Sequence, residues 1–262
     1  MARQQNQWIL ASDIDNTLTG DEEALKRLST KLQEQMERGN LVLVLSTGRR
    51  LEQIMDGFVN ENIPEPHGIV SQVGTEIFTP PFHPETTPLA EWDKKLKKSF
   101  SRQQALSFLK DIDGLEMQPE EFNTPLKVSC YLDKTPSPEE AVQEIRQRVA
   151  PYGDAYQVVW SSSRDLDIIP AEAGKGKAIQ FLTQYLGLVS DNVVVAGDSG
   201  NDSSMFETFE KGIVVGNAKE ELIEAEKDRE NSSVYFATKE YAAGVEEGLL
   251  HFGVLGDSKI VK

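Results

Sequence analysis

Apolar residues recur along this chain with two periods, one typical of strands and the other of helices. Short continuous apolar runs predict β-strands near residues 7–12, 41–46, 192–196, 212–216 and 233–237. The runs at 41–45 and 193–196 contain no polar residue. Such runs are typical of strands in a parallel sheet that is covered on both faces.

Between these runs, apolar residues recur at the spacing typical of helices. Apolar residues repeat every three or four positions from Leu25 to Met36, and Gly39 follows where a helix would end. The same spacing predicts helices over 51–58 and 178–186. Strands that alternate with helices predict an α/β fold whose core is a doubly wound, mainly parallel sheet.

The middle of the chain interrupts this alternation. Four prolines between Pro80 and Pro88 mark a boundary. Beyond them the pattern predicts helices and short strands over 89–110, 114–118, 125–132, 138–150 and 155–160. We therefore predict an inserted α+β cap over 83–165 and a core made of residues 1–82 and 166–262. The proline-rich linker and Ser161-Ser162-Ser163 are candidate hinges for the cap.

Composition and charge exclude several classes of protein. The 262 residues include 43 Asp and Glu against 27 Lys and Arg, and the net charge of −16 disfavours binding to nucleic acid or to an anionic membrane. A phosphate site on such a chain must concentrate its own positive charge. The sequence has neither a signal-peptide pattern nor an apolar run of about 18 residues, so we expect a cytoplasmic location. We also expect a monomer.

Cysteine and histidine give little support for metal or disulfide chemistry. Cys130 is the single cysteine and lies in a strand-like run, where a buried and unreactive thiol is expected. The three histidines are far apart in the sequence and lack metal-ligand spacing, which disfavours a zinc site.

Two aspartates follow the first predicted strand. Asp13 comes directly after the apolar run and Asp15 lies two residues further on. Ligands of parallel α/β sheets bind beyond the carboxyl ends of strands, where the Asp13 carboxylate can attack phosphorus and form an aspartyl-phosphate. Asp15 can protonate the leaving alcohol and then activate water. An Asp-x-Asp also occurs in turns and helix caps, so this interpretation depends on the segments that follow.

A second polar segment, Ser46-Thr47-Gly48-Arg49, follows the predicted strand 41–46. A hydroxyl and main-chain N–H groups there can bind phosphoryl oxygens, and Gly48 permits close approach of the backbone. The helix that starts near Arg49 would add the positive end of its dipole. Thr47, Gly48 and Arg49 are therefore candidates for phosphate contact, although an ordinary helix cap is the alternative interpretation.

Lys175 lies between two glycines, just before a predicted helix. Its ammonium could neutralise negative charge on Asp13 and on a phosphoryl group. Lys177 is the competing candidate, but the flanking glycines would allow Lys175 to pack more tightly. The stretch lacks the Gly-x-x-x-x-Gly-Lys-Ser/Thr pattern of a P-loop.

The segment 197–202, Gly-Asp-Ser-Gly-Asn-Asp, follows the strand 192–196. Carboxylate oxygens are hard ligands that suit Mg²⁺, and a metal would offset the repulsion between converging carboxylates. We expect Asp198 to bind the metal directly, Asp202 to hold a metal-bound water or to orient Lys175, and Asn201 to contact substrate. The expected metal ligands are Asp13, Asp15 through its main-chain carbonyl, Asp198 and Asp202. A polar turn is the alternative interpretation.

These four segments occur in the order of the four motifs of the haloacid dehalogenase superfamily of phosphohydrolases, which the chain resembles from Asp13 to Asp202. The resemblance implies that Asp13 is the nucleophile and Asp15 the acid–base, with phosphate contacts from Thr47 and Lys175 and with Mg²⁺ as cofactor. The position of the cap, between the second and third motifs, is similar to the branch that dephosphorylates sugar phosphates and nucleotide-like small molecules.

Longer matching segments make the family resemblance more specific. The chain is similar to the sucrose-phosphate phosphatases of cyanobacterial and plant type in the segments 12–17, 73–77, 127–133, 172–178, 197–202 and 214–218. This implies hydrolysis of sucrose 6-phosphate to sucrose and phosphate. Plant members carry an additional C-terminal domain, so the chain resembles the short bacterial form.

The cap is expected to select the sugar, because the core motifs are expected to contact mainly the phosphate and the metal. Lys127 is the leading cap candidate, and Gln53 and Glu76 are further candidates for contact with the sugar. Other functions remain open: a phosphatase for another sugar phosphate, such as a mannosyl or glucosyl osmolyte precursor, a phosphosugar mutase, or a binding module. A sucrose-phosphate synthase is a candidate partner.

Overall fold

The computed structural model describes residues 7–188, 192–229 and 233–256. The predicted core also includes positions that lie outside the described residues: 1–6, 189–191, 230–232 and 257–262. Within the described part, the chain forms two β-sheets with helices packed on them. No helix in this part is both long enough and apolar enough to cross a membrane.

The strands and helices are named in chain order. The strands are β1 (Trp8–Ser12), β2 (Leu41–Ser46), β3 (Gly68–Ser71), β4 (Glu76–Phe78), β5 (Glu116–Met117), β6 (Val128–Tyr131), β7 (Tyr156–Ser161), β8 (Asp165–Pro170), β9 (Val193–Gly197), β10 (Lys211–Val214) and β11 (Val234–Phe236). The helices are α1 (Glu22–Glu37), α2 (Leu51–Asn60), α3 (Ala90–Leu96), α4 (Arg102–Phe108), α5 (Pro138–Val149), α6 (Lys175–Tyr185), α7 (Ser203–Thr208), α8 (Glu220–Glu226) and α9 (Tyr241–His251).

The predicted doubly wound α/β fold is confirmed. The larger sheet has the order β11-β10-β9-β1-β2-β3-β4, and its strands are parallel except for the pair β3–β4. Successive residues face opposite sides: Leu10 and Leu43 pack with α1, α2 and α9, whereas Ile9 and Val42 pack with α6 and α7. Both faces are buried, which explains why these strands are apolar up to the serine that ends each of them.

The smaller sheet is antiparallel, with the order β5-β6-β8-β7. Helices α4 and α5 cover one of its faces, where Phe108, Val142 and Ile145 pack against Val128 and Leu166. The opposite face is turned towards the carboxyl ends of the core strands. The insertion therefore lies over the edge of the core sheet to which the predicted motifs belong.

Some local predictions differ from the structure. The helix predicted over 89–110 is divided in two, because Ser101 begins α4 by accepting a hydrogen bond from the Gln104 N–H (3.4 Å). Helix α3 packs on the core, with Trp92 buried there. Strand β8 pairs with β6 and β7 in the smaller sheet. Residues 166–170, which the prediction placed in the core, therefore pair with strands of the smaller sheet. The domain limits 83–165 stay a prediction.

Candidate active site

Three neighbouring strands bring the predicted motifs to one edge of the core sheet. Strand β1 lies between β9 and β2, so the residues that follow these strands, Asp13, Asp198 and Thr47, lie at the same edge of the sheet although they are far apart in sequence. The Asp13 N–H donates a hydrogen bond to the Ala196 carbonyl (2.9 Å). This bond continues the β1–β9 pairing by one residue and holds Asp13 at the end of the sheet.

A buried lysine joins two of the acidic motifs. Lys175 is fully buried, and its Nζ lies 2.7 Å from Asp13 Oδ1 and 2.6 Å from Asp202 Oδ1. Burial alone would lower the pKa of Lys175, but the two carboxylates raise this pKa above its usual value, so the ammonium stays charged. Lys177 instead donates to the Ala171 carbonyl at the surface (2.7 Å). The structure thus places Lys175, rather than Lys177, beside Asp13.

Glycines explain how a lysine at the start of a helix becomes buried. Lys175 is the first residue of α6, and Gly174 precedes it with a φ of +103°, a conformation that favours glycine. A Cβ on Gly176 would lie 1.9 Å from the Ser204 carbonyl oxygen. Helix α6 can therefore pack closely against α7 only because Gly176 has no side chain.

Asp198 and Asp202 complete an acidic cluster with Asp13. One carboxylate oxygen from each of the three residues lies within 4.8 Å of the others. Asp202 Oδ2 accepts hydrogen bonds from the main-chain N–H groups of Asp198 (2.9 Å) and Ser199 (3.1 Å), and its Oδ1 is held by the buried ammonium. Asp198 Oδ1 accepts from Thr17 Oγ1 (3.4 Å). Its Oδ2 is buried and has no hydrogen-bond partner among the described residues.

This cluster has the chemistry of a cation site. Burial and the neighbouring Asp202 raise the pKa of Asp198 to about 7, despite the opposing effect of Lys175. Burial also raises the pKa of Asp13 well above its usual value. A divalent cation would offset the repulsion in such a cluster, and an unpartnered carboxylate oxygen is a ligand that Mg²⁺ prefers. The residues present therefore fit the predicted metal.

A cavity of about 370 Å³ lies between the core and the cap. Its volume is in the range of small-molecule sites. On the core side it is lined by predicted site residues, namely Asp13, Asp15, Gly48, Asp198 and Asn201. On the cap side it is lined by the predicted Lys127 and by residues that the sequence analysis did not assign to the site, among them Gln118, Phe122, Arg164, Asp165 and Asp167.

Strand alternation explains the polar cap wall. In β6 and β8, Cys130 and Leu166 face the cap helices, so the alternate residues Ser129 and Asp167 face the cavity side. The Ser129 hydroxyl donates to Asp167 Oδ1, and Lys127 Nζ lies 3.6 Å from that oxygen. Polar–apolar alternation over 127–130 and 165–168 is the sequence signal that would have identified this wall.

Asp15 lies on the cavity wall and is paired with Arg49, whose Nη2 lies 2.8 Å from Asp15 Oδ1. The same guanidinium also binds Glu61, with Nη1 2.7 Å from Oε1. Thr47 is fully buried, and its hydroxyl oxygen accepts a hydrogen bond from the Arg49 N–H (3.1 Å). Of the predicted segment, only Gly48 is among the described residues that line the cavity.

Two other predicted substrate contacts, Gln53 and Glu76, form hydrogen bonds with neighbouring residues of the core. Gln53 Oε1 accepts a hydrogen bond from the Arg50 N–H (3.0 Å) and so caps the start of α2. Glu76 accepts from the Ser71 hydroxyl (3.2 Å), and its burial raises its pKa. Neither Gln53 nor Glu76 is among the described residues that line the cavity. Substrate contact by these two residues stays a prediction without a supporting contact.

One comparison with known proteins decides the family. The sequence model of the family described as sucrose-6F-phosphate phosphohydrolase matches residues 6–253. This chain belongs to that family. It is a phosphoric monoester hydrolase of the haloacid dehalogenase type that acts on sugar phosphates. The predicted resemblance is thereby confirmed.

Individual relatives agree with this assignment. The chain is 31% identical to mannosylfructose-phosphate phosphatase of Agrobacterium fabrum, over 94% of this chain and 97% of that protein. It is 32% identical to probable sucrose-phosphatase 2 of Arabidopsis thaliana, over 93% of this chain but only 59% of the plant protein. The X-ray structure of sucrose-phosphatase from Synechocystis sp. PCC6803 with sucrose and phosphate has a TM-score of 0.87 and 30% identity, and covers 95% of this chain and 99% of that chain.

Proposed function

We propose that this protein hydrolyses sucrose 6-phosphate to sucrose and phosphate in a Mg²⁺-dependent reaction with an aspartyl-phosphate intermediate. The observation that carries the proposal is the position of Asp13. Its carboxylate lies beyond the central strand, on the wall of the cavity, with Lys175 Nζ 2.7 Å from Oδ1. The similarity to sucrose-phosphatases of Arabidopsis thaliana and Synechocystis supports the choice of sugar.

In the first half-reaction, an oxygen of Asp13 attacks phosphorus. The bond from phosphorus to the Asp13 oxygen forms as the bond to the sugar oxygen breaks. Asp15 gives its proton to the departing sugar oxygen, as a general acid. The charged ammonium of Lys175 remains beside Asp13 and opposes the negative charge that gathers on the transferring group.

In the second half-reaction, water attacks the phosphorus of the aspartyl-phosphate. Asp15, now ionised, takes a proton from this water, and the bond between phosphorus and the Asp13 oxygen breaks. Phosphate leaves and the Asp13 carboxylate is restored. Gly48, on the cavity wall, leaves room for a phosphoryl oxygen close to the backbone, while the buried Thr47 supports that loop.

The proposed Mg²⁺ would be held by Asp13, Asp198 and Asp202, together with the main-chain carbonyl of Asp15. When bound, the ion would polarise the phosphoryl group and offset the repulsion among the carboxylates. Both oxygens of Asp202 already accept hydrogen bonds, which supports the expectation that it orients Lys175 or holds a metal-bound water. The unpartnered Asp198 Oδ2 is the strongest support for direct ligation.

Mannosylfructose phosphate is the principal alternative substrate, because the Agrobacterium fabrum relative is a mannosylfructose-phosphate phosphatase of nearly the same length. Both substrates would place a sugar against the polar cap wall formed by Lys127, Arg164 and Asp167. The cap wall therefore supports a sugar phosphate more strongly than it supports one particular sugar.

Phosphate release should be measured from sucrose 6-phosphate, mannosylfructose phosphate, glucose 6-phosphate and fructose 6-phosphate, each with Mg²⁺ and with a chelator. We expect the largest kcat/KM on sucrose 6-phosphate and loss of activity without the metal. A preference for mannosylfructose phosphate would replace the substrate but keep the mechanism. Full activity in the chelator would overturn the role of the metal.

The nucleophile is tested by Asp13→Asn, a substitution of nearly the same shape. We expect no measurable turnover, with the cooperative unfolding transition retained. Substantial phosphate release by this variant would refute the assignment. A cytoplasmic monomer that docks on a sucrose-phosphate synthase is a further proposal, and co-purification of the two proteins would test the docking.

A further inference from the structure

The guanidinium of Arg49 holds the carboxylate of Asp15 from the side. Arg49 Nε lies 3.0 Å from Oδ1 and 3.1 Å from Oδ2, and Nη2 lies 2.8 Å from Oδ1. The Asp15 side chain is 51% exposed, so surrounding protein atoms restrict it little. Its orientation therefore depends on the planar fork of Arg49, which fixes a carboxylate in direction as well as in distance.

A second carboxylate fixes the guanidinium itself. Glu61, directly after α2, accepts from Arg49 Nη1 (2.7 Å) and Nη2 (2.9 Å). The side chain of Arg49 is only 15% exposed. A Cβ on Gly57 would lie 3.3 Å from Arg49 Nη1, so the guanidinium rests closely against helix α2. Arg49 is thus held along one edge by Glu61 while its other edge holds Asp15.

This arrangement leaves Arg49 poorly placed to bind phosphate. Its two edges already bind carboxylates, and among the described residues that line the active-site cavity Asp15 is present and Arg49 is absent. We infer that Arg49, held by Glu61, is a positioning residue that orients the Asp15 carboxylate for proton transfer to the sugar oxygen. This inference rests on the acid–base role proposed above for Asp15.

The leaving group provides a readout that a purely structural role would not change. A sugar alkoxide is a poor leaving group and needs a proton from Asp15, whereas 4-nitrophenolate departs without one. The parameter kcat/KM reports the steps up to departure of the leaving group, so attack of water on the aspartyl-phosphate does not affect it. A misplaced Asp15 should therefore lower kcat/KM for the sugar phosphate and leave that for 4-nitrophenyl phosphate nearly unchanged.

The experiment compares Arg49→Met with wild type on 4-nitrophenyl phosphate and on whichever sugar phosphate the wild type hydrolyses fastest. We expect a loss of about 10- to 100-fold in kcat/KM on the sugar phosphate, a part of the usual contribution of general acid–base catalysis, and less than about threefold on 4-nitrophenyl phosphate. Glu61→Gln should shift the ratio in the same direction by a smaller factor. Arg38→Met, which removes an exposed guanidinium far from the site, is the control and should leave the ratio unchanged.

A double variant separates the inference from the proposed function. In an Asp15→Asn background, Arg49→Met should cause no further loss on the sugar phosphate, because the two residues act in one step. Equal losses on both substrates, or a rise in the inhibition constant of inorganic phosphate, would overturn the inference in favour of a structural or phosphate-binding role. If Asp15→Asn itself retains full activity on the sugar phosphate, the acid–base assignment of Asp15 is what fails. Arg49→Lys, which keeps the charge but lacks the fork, gives the same comparison if Arg49→Met does not fold.

Discussion

The metal-free protein should lose stability as pH rises, and Asp198→Asn should remove part of that loss. The ordinary pKa of an aspartate is 3.8, and burial beside Asp202 raises the pKa of Asp198 to about 7 in the folded protein. Between these values the unfolded chain releases a proton that the folded protein retains, so unfolding becomes easier as pH rises. A difference of about three pH units corresponds to about 4 kcal/mol, of which about 2–3 kcal/mol falls between pH 5 and pH 8.

The assay is urea unfolding of wild type and Asp198→Asn in a chelator, at pH 5 and at pH 8. The variant lacks the Asp198 carboxylate, which also helps to raise the pKa of Asp13, so the difference between their free energies of unfolding reports on Asp198 together with its effect on Asp13. We expect this difference to move by about 2–3 kcal/mol in favour of the variant at the higher pH. Saturating Mg²⁺ should stabilise wild type more than the variant at pH 8, because the metal binds only the folded cluster. A difference that does not change between the two pH values would refute the reasoning.

Three other perturbations test separate parts of the structure. Lys175→Met should destabilise the metal-free protein by about 3–5 kcal/mol, because it leaves Asp13 and Asp202 buried without their cationic partner. Urea unfolding at pH 8 measures this cost, and a cost below about 1 kcal/mol would contradict the prediction. Glu221 Oε1 accepts hydrogen bonds from the main-chain N–H groups of Ser162 in the cap and Gly200 in the core. Glu221→Ala should therefore raise KM about two- to fivefold and change the free energy of unfolding by at most about 1 kcal/mol. The control Glu220→Ala should alter neither quantity. Burial raises the pKa of Cys130 to about 12, so a thiol reagent should label it only as fast as the protein unfolds, and rapid labelling of the folded protein would show that this environment is wrong.

Local sequence patterns were sufficient for the core and for the motifs at its strand ends. The run predicted at 41–46 is β2 (Leu41–Ser46), because a strand buried on both faces is expected to be almost continuously apolar, as residues 41–45 are. Asp13 and Asp198 could be assigned to one site for a related reason. A residue that directly follows a parallel strand must lie at the carboxyl edge of the sheet, whatever the rest of the chain does.

Short strands and helix breaks were harder to predict. Strands β3 and β4 contain only four and three residues, too few to show a period. The helix predicted over 89–110 contains suitable apolar residues throughout, but the cap at Ser101 ends that continuity. A single side chain that hydrogen-bonds the backbone outweighs a weak helical propensity over several residues.

The sequence alone determined which charged residues of the core motifs lie at the active site, whereas tertiary structure decided how those charges are paired and added Arg164, Asp165 and Asp167 from the cap. Arg49 follows a strand as a phosphate contact would, but the fold brings it Asp15 and Glu61, which are 34 and 12 positions away in the chain. Gln53, predicted as a sugar contact, likewise accepts a hydrogen bond from the Arg50 N–H at the start of α2. The position of a motif depends on local hydrogen bonding along one strand. The pairing of charges depends on which side chains, distant in sequence, come within a few ångströms of one another in the fold, and no local sequence pattern specifies this pairing.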